Sequence, residues 1–240
     1  MLKTLFMPVI EIKELTKTYN ETVVPVHALN GVNLSFEKGE FTAIVGPSGC
    51  GKTTLLNMMG GLDHPSSGQV IIAQEDITKM DTSHLVDFRL RNIGFIFQSY
   101  NLIPVLTVRE NIQFIMELQG RSKKEIDERV HYLLDAMGLS DKINVRPKYL
   151  SGGQQQRVAV ARAMASKPKF ILADEPTANL DSKSTETLLN LMANLNEKEE
   201  VTFIFSTHDQ RVMDKAKRIV TLEDGKVMND SNSGVLHETA

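Results

Sequence analysis

The chain has 240 residues, 41% hydrophobic and 24% charged, the balance of a globular protein with one large domain or a domain carrying an inserted lobe. Its formal net charge of −3 supplies no general basic field, so nucleic acid is not an expected partner. The one cysteine, Cys50, excludes an intramolecular disulfide and permits a reducing compartment, and no apolar run approaches the roughly 18 residues that cross a bilayer.

The opening MLKTLFMPVIEIKEL is broken by Pro8 and turns charged at Glu11, which makes a poor signal peptide. The expected location is therefore cytoplasmic, with any work at a membrane done through a partner. VIEIKEL (9–15) and VNLSF (32–36) carry apolar residues at every second position and predict strands. EFTAIVG (40–46) and KFILAD (169–174) have continuous apolar centres, the pattern of buried parallel strands. From about 100 to 166 the pattern turns helical. SKKEIDERVHYLLDAMGL opens with a capping box, Ser122 to Glu125, and ends at Gly138. Its stripe of Ile126, Val130, Leu133, Leu134 and Met137 predicts core packing, with Lys123, Lys124 and Glu125 on a solvated face. EKEE (197–200) reads as a polar turn, VTFIFST (201–207) and RIVTLEDGKVM (218–228) as strands, and the tail NDSNSGVLHETA (229–240) as a segment that frays. The expected organisation is one domain over 1–240: an α/β catalytic core over 1–99 and 167–228 with a β-rich first part, and a helical part over 100–166.

Two segments carry phosphate chemistry. GPSGCGKT (46–53) fits G-x-x-x-x-G-K-[ST] between a buried strand and the helical TLLNMMGGL. Gly46, Gly49 and Gly51 let the backbone wrap a phosphate and aim N–H groups inward. Lys52 brings a mobile positive charge to the β- and γ-phosphates, and the Thr53 hydroxyl can ligate Mg²⁺. Cys50 reads as a small spacer. The second segment, FILADE (170–175), places Asp174 where it can hold Mg²⁺ through water and Glu175 where it can deprotonate an attacking water. His208 directly follows the strand TFIFST, at an edge where ligands bind in such folds; the other five histidines have no comparable setting. YLSGGQQQRVAVARA (149–163) poses a question of its own. Ser151, Gly152 and Gly153 at a helix start attract an anion, yet the stretch has no lysine at the loop and no acid to hold a metal.

Together these residues resemble the nucleotide-binding subunits of ABC transporters. GPSGCGKT is similar to the Walker A loop, LSGGQ (150–154) to the signature, ILADEP to Walker B with its catalytic glutamate, and Gln98 in FIFQSYN to the Q-loop glutamine. Tyr19 in LTKTYN resembles the aromatic that stacks on adenine, Asp181 in ANLDS the D-loop aspartate, and His208 the switch histidine. The resemblance implies an α/β P-loop NTPase (RecA-like) core with an antiparallel β subdomain and an inserted helical signature subdomain. It implies ATP held by Tyr19, by Gly46, Pro47, Ser48, Gly49, Cys50 and Gly51, and by Lys52, Thr53 and Thr54. Mg²⁺ would be held at Thr53, Gln98 and Asp174, with Glu175, His208, Gln98 and Lys52 as the catalytic groups. It also answers the question of the anion: Ser151, Gly152, Gly153 and Gln154 of one subunit, with Asp181, face ATP on another subunit's Walker A loop in a head-to-tail homodimer. Leu150 is expected to pack, and Gln154, Gln155 and Gln156 to leave the helix start polar.

VHALNGVNLSFEKGEFTAIVGPSG, NMMGGLDHPSSGQV and RNIGFIFQSYNLIPVLTVRENI are similar to the branch of lipoprotein-releasing, macrolide-exporting and FtsE-type cell-division ATPases, which work with integral membrane subunits from the inner face of the membrane. Ala178 stands in the D-loop where relatives often carry glycine or serine. Leu102, Ile103, Val105 and Leu106 crowd around Pro104 and read either as core of the helical part or as a wall that receives a membrane subunit. The alternative is an ABC-type ATPase or regulatory cassette with no transport role. A repair-type ATPase would need a long coiled coil, whereas about 100 residues without sustained heptads separate Thr53 from Ser151. A cassette without turnover would lack Glu175.

Overall fold

The structure is a computed structural model that describes residues 8–19 and 24–232. The elements in chain order are β1 (Ile10–Tyr19), β2 (Val26–Phe36), β3 (Phe41–Val45), α1 (Lys52–Met59), β4 (Ser67–Ile72), β5 (Glu75–Asp76), α2 (Thr82–Asn92) and β6 (Ile93–Ile96). There follow α3 (Val108–Leu118), α4 (Lys123–Ala136), α5 (Gly152–Ala165), β7 (Phe170–Asp174), α6 (Ser182–Glu199), β8 (Thr202–Ser206), α7 (Gln210–Lys215), β9 (Arg218–Glu223) and β10 (Lys226–Asn232).

The strands make two sheets. An antiparallel sheet has the order β2-β1-β4-β5, and a six-stranded sheet the order β10-β9-β3-β8-β7-β6. In the larger sheet β9, β3, β8, β7 and β6 run parallel and β10 closes one edge antiparallel. Its central strands are buried on both faces, which is why FTAIV and FILAD read as unbroken apolar runs. Alternate residues feed two cores. Phe170, Leu172 and Ile204 point toward α1, α2 and the antiparallel sheet, while Ile171, Ala173, Phe203 and Phe205 point toward α3–α6. This is the α/β P-loop architecture expected, and the inserted helices share one core with the sheet rather than enclosing their own.

Local signals worked where they were strong. Ser122 and Glu125 form the expected capping box at the start of α4, and Leu150 is buried. Three expectations are corrected. EKEE is no turn: residues 197–199 complete α6, and the chain turns at Glu200, which takes φ +52°. RIVTLEDGKVM is two strands, because Asp224 and Gly225 at φ +46° and +73° make a two-residue hairpin turn. Residues 229–232 of the tail lie in β10, where Asp230 meets the buried Arg218 guanidinium at 2.6 Å; residues 233–240, like the start of the N-terminal segment, lie outside the described residues.

The misread end of α6 has a structural role. Glu199 accepts two hydrogen bonds from Arg129 of α4, at 2.8 and 2.7 Å, and Arg129 also donates to the Met164 carbonyl at the end of α5 at 2.6 Å. Arg129 is buried, so losing its partner strands a charge. Glu199→Leu is expected to lower unfolding free energy by about 3 kcal/mol, while Arg129→Met with Glu199→Leu returns to within about 1 kcal/mol of wild type. Urea denaturation of the nucleotide-free protein reads both.

Candidate functional site

Strand register assembles the site. Ile44 of β3 and Asp174 of β7 both lie level with Ser206 of β8, and Ile96 of β6 lies level with Ala173. The residues just past these strand ends therefore emerge side by side at one edge of the sheet, where open α/β sheets bind ligands. They line a cleft of about 750 Å³. From the loop after β3 come Gly46, Pro47, Ser48, Gly49 and Gly51, and from the start of α1 Lys52, Thr53 and Thr54. Gln98 enters from beyond β6, Glu175 from beyond β7 and His208 from beyond β8.

The glycines of the loop serve more than phosphate approach. A Cβ on Gly46 would lie 2.0 Å from the Leu222 carbonyl oxygen, and one on Gly51 2.3 Å from that of Ala28, each at a positive φ. Lys52 Nζ donates to the Gly46 and Pro47 carbonyls at 2.8 and 2.9 Å and makes no ion pair among the described residues, which leaves its charge available to an anion. Cys50 is buried beneath the loop, as a spacer would be. Tyr19 also lines the cleft, its hydroxyl donating to Asp63 at 3.0 Å and the Lys17 ammonium 4.7 Å above its ring. Burial pushes the phenol pKa up, against a hydrogen bond with Thr54. Burial would also raise the Asp63 carboxyl, but hydrogen bonds from Lys17, the His64 N–H and Tyr19 hold it below its usual range.

The Thr53 hydroxyl donates to both carboxylate oxygens of Asp174, at 3.2 and 3.1 Å. No group of three or more His, Cys, Asp or Glu among the described residues could hold a metal. A hydroxyl beside one carboxylate suits Mg²⁺, which binds hard oxygens, keeps several waters and takes further ligands from substrate phosphates. Glu175 has φ +45°, the left-handed region that a non-glycine residue occupies at a cost, and its Oε1 lies 2.8 Å from His208 Nδ1.

The signature residues stand elsewhere. Ser151 caps α5 through a capping box with Gln154, and Gly152 and Gly153 fill the first two helical positions, whose N–H groups have no intrahelical acceptor. Ser151 and Gly153 line a separate depression of about 210 Å³ with Arg157, Lys183, Ser184 and Thr187. Asp181 also stays out of the cleft: its carboxylate caps α6, accepting from the Ser184 N–H and hydroxyl at 2.9 and 2.7 Å. Gln156, expected with Gln154 and Gln155 to leave the helix start polar, is wholly buried.

The sequence model of the ABC transporter family matches residues 29–178, from β2 through the loop, Gln98, LSGGQ and Glu175. The chain belongs to this family. The lipoprotein-releasing system ATP-binding protein LolD 1 of Chlorobium chlorochromatii is 44% identical, over 90% of this chain and 87% of its own. The macrolide export ATP-binding/permease protein MacB of Hyphomonas neptunium is 44% identical over 94% of this chain, which spans about a third (35%) of that longer protein. The dimeric cassette MJ0796, solved in a post-hydrolysis state bound to ADP and Pi, superposes with a TM-score of 0.85 at 41% identity, over 93% of this chain and 98% of that one. The protein is thus an ATP-binding ABC cassette and an ATPase.

Three contacts of the cassette were invisible in the sequence. Thr177, buried beside Glu175, donates to Asp209 at 2.9 Å, and Arg211, then the Arg211 N–H and Thr177, hold the Asp209 carboxyl below its usual pKa against the opposing effect of burial. Arg162 of α5 donates to the carbonyls of Tyr100 and Asn101, two consecutive residues at positive φ just past Gln98. Gln156 donates to the Pro176 carbonyl at 2.8 Å. A Thr or Asp next to a catalytic group was the only available signal, and it points nowhere in particular.

Because Lys52 Nζ contacts only atoms of its own loop, the Gly46 and Pro47 carbonyls and the Cys50 sulfur, Lys52→Ala is expected to keep the fold and weaken ATP binding by about 1.5–3 kcal/mol, the value of hydrogen bonds to a charged group. Calorimetric titration with ATP measures the loss.

Proposed function

We propose that this cassette works as a head-to-tail homodimer closed around two MgATP, driving integral membrane subunits from the inner face of the membrane in lipoprotein release or export. The reading rests first on one observation. The anion-seeking start of α5 and the loop with its uncompensated lysine lie on different surfaces of one chain. A second copy would bring Ser151, Gly152, Gly153 and Gln154 to the γ-phosphate held on the first copy's loop, with Asp181 beside them.

In this reading Tyr19 stacks on adenine with the ring face that Lys17 does not cover, and the N–H groups of the 46–54 loop surround the phosphates. Lys52 binds the β- and γ-phosphates. Thr53, Asp174 and Gln98 would hold Mg²⁺, which neutralises charge developing on the phosphate oxygens when bound. Glu175 Oε1 accepts a proton from the attacking water, and His208, 2.8 Å away, holds that carboxylate in place until the γ-phosphate draws the imidazole across. Gln98 then reports the phosphate to the segment that follows it.

That segment answers the two readings of residues 102–106 unequally. Leu102 packs against the core, Val105 is exposed, and Ile103 lines an apolar groove of about 350 Å³ with Phe95, Phe97 and Phe114. The groove supports docking of a short membrane-subunit segment beside Gln98. No helix among the described residues is long and apolar enough to cross a membrane. The similarity to LolD and MacB supports lipoprotein release or export as the work done.

Glu175→Gln keeps the shape and loses the proton acceptor. It is expected to hydrolyse ATP about 10²–10⁴ times more slowly and to accumulate as a closed dimer. Light scattering in MgATP should give twice the monomer mass for this variant; a persistent monomer at high protein concentration contradicts the dimer.

A further inference from the structure

Gln156 is an anomaly of α5. It is wholly buried, yet its Oε1 has no hydrogen-bond partner. Its Nε2 donates to the Pro176 carbonyl at 2.8 Å. An apolar side chain of the same length would fill the space without an unpaired oxygen, and leaving a buried acceptor unmade costs at least what a typical hydrogen bond returns. The packing of the helix therefore gives no reason for an amide here. The bond it makes does.

Pro176 follows Glu175 directly. The turn around them is closed by bonds from Ala178 N–H to the Glu175 carbonyl at 3.2 Å and from Leu180 N–H to the Thr177 carbonyl at 3.0 Å. Neither uses the Pro176 carbonyl, whose partner among the described residues is Gln156. Pro176 itself is buried, so this carbonyl has no other route to satisfaction. It belongs to the Pro176–Thr177 peptide, one residue beyond Glu175, which sits at φ +45° and must be held there by its surroundings. On the far side of the turn, Thr177 is pinned to Asp209 at 2.9 Å. Gln156 thus holds from below a strained residue whose carboxylate must meet His208 at 2.8 Å.

We propose that Gln156 is a positioning residue for Glu175, acting through the Pro176 carbonyl, and that it couples the signature helix to the hydrolytic glutamate of its own chain. The proposal rests on the assignment of Glu175 as the base. Ser151 and Gln156 lie on one rigid helix, five residues or about one and a half turns apart. A shift of α5 on meeting the partner's nucleotide therefore reaches the Pro176–Thr177 peptide, one residue past Glu175, through a single bond shielded from water. Each nucleotide in a closed dimer would in this way adjust the glutamate of the opposite site.

Gln156→Met keeps the length and removes the donor; Gln156→Glu keeps the shape and sets an acceptor against a carbonyl oxygen. In the full chain both are expected to lower kcat for ATP about 10–100-fold, the effect of a small misplacement of a catalytic group. KM and calorimetric ATP affinity should stay within about threefold of wild type, since uniform binding is untouched. Gln156→Met should leave the urea midpoint close to wild type, because loss of the unpaired oxygen offsets the loss of the donor to the Pro176 carbonyl. Added to Glu175→Gln, it should lower the residual rate by less than about twofold, because both changes act on one carboxylate. Additive losses in the double variant would mean a packing role and overturn the proposal, even if Gln156→Met proves unstable. A wild-type kcat for Gln156→Met beside a slow Glu175→Gln overturns it too, and leaves the base assignment standing. A fast Glu175→Gln sinks that assignment, and the proposal with it.

Discussion

Ile44, Ser206 and Asp174 lie level across β3, β8 and β7, and the phosphate loop, the Asp174–Glu175 pair and His208 depend on that alignment. A slip of one residue in any of these strands would exchange its two faces between the two cores, moving Phe203 and Phe205 to the side of Ile204. Burial on both sides makes such a slip costly, so the ends of the strands are held in place by the whole interior. The loop after β3, the Asp174–Glu175 pair and His208 inherit that precision although they lie outside regular structure. The Thr53–Asp174 hydrogen bonds are the first consequence, since they join α1 to the end of β7 at the pair proposed to hold Mg²⁺.

Around Glu175 the cassette adds three further constraints. His208 meets its carboxylate, Asp209 holds Thr177 and Gln156 holds Pro176, so the turn after β7 is tied to the β8 loop on one side and to α5 on the other. A left-handed glutamate is maintained because its neighbours have nowhere else to go. On a different surface the start of α5 presents N–H groups without intrahelical acceptors, beside Arg157 and Lys183. One chain thus carries two separate electropositive surfaces, the cleft with Lys52 and the start of α5 with Arg157 and Lys183, built on a common core.

The cleft was legible in the sequence because its signals are local: a glycine-rich loop between a buried strand and a helix, and an acid pair behind four apolar residues. The capping box of α4 and the start of α5 were legible for the same reason. What was missed depended on distant partners or on punctuation passed over. Asp224-Gly225 is a hairpin signal, and reading through it merged β9 with β10 and left residues 229–232 as tail. Residues 197–199 look like a polar turn until Arg129, seventy positions away, shows why a carboxylate belongs on the last turn of α6. Gln156 belongs to a helix buried nearly all round from Val158 onward, and no periodicity marks one of three consecutive glutamines as the interior one. Thr177 and Asp209 are thirty-two residues apart and meet only because β7 and β8 are neighbours.

The central claim is that the two half-sites meet across a dimer, and a purified heterodimer tests it most directly. One subunit carries Ser151→Arg and the other Lys52→Ala. If the signature residues serve the partner's nucleotide, one composite site receives both lesions and the other receives neither, so the heterodimer should hydrolyse ATP measurably, at no more than about half the wild-type rate, while each parent homodimer is inactive. A heterodimer as inactive as its parents, together with loss of ATP binding by the isolated Ser151→Arg chain, would place the signature residues on their own chain's nucleotide and contradict the account.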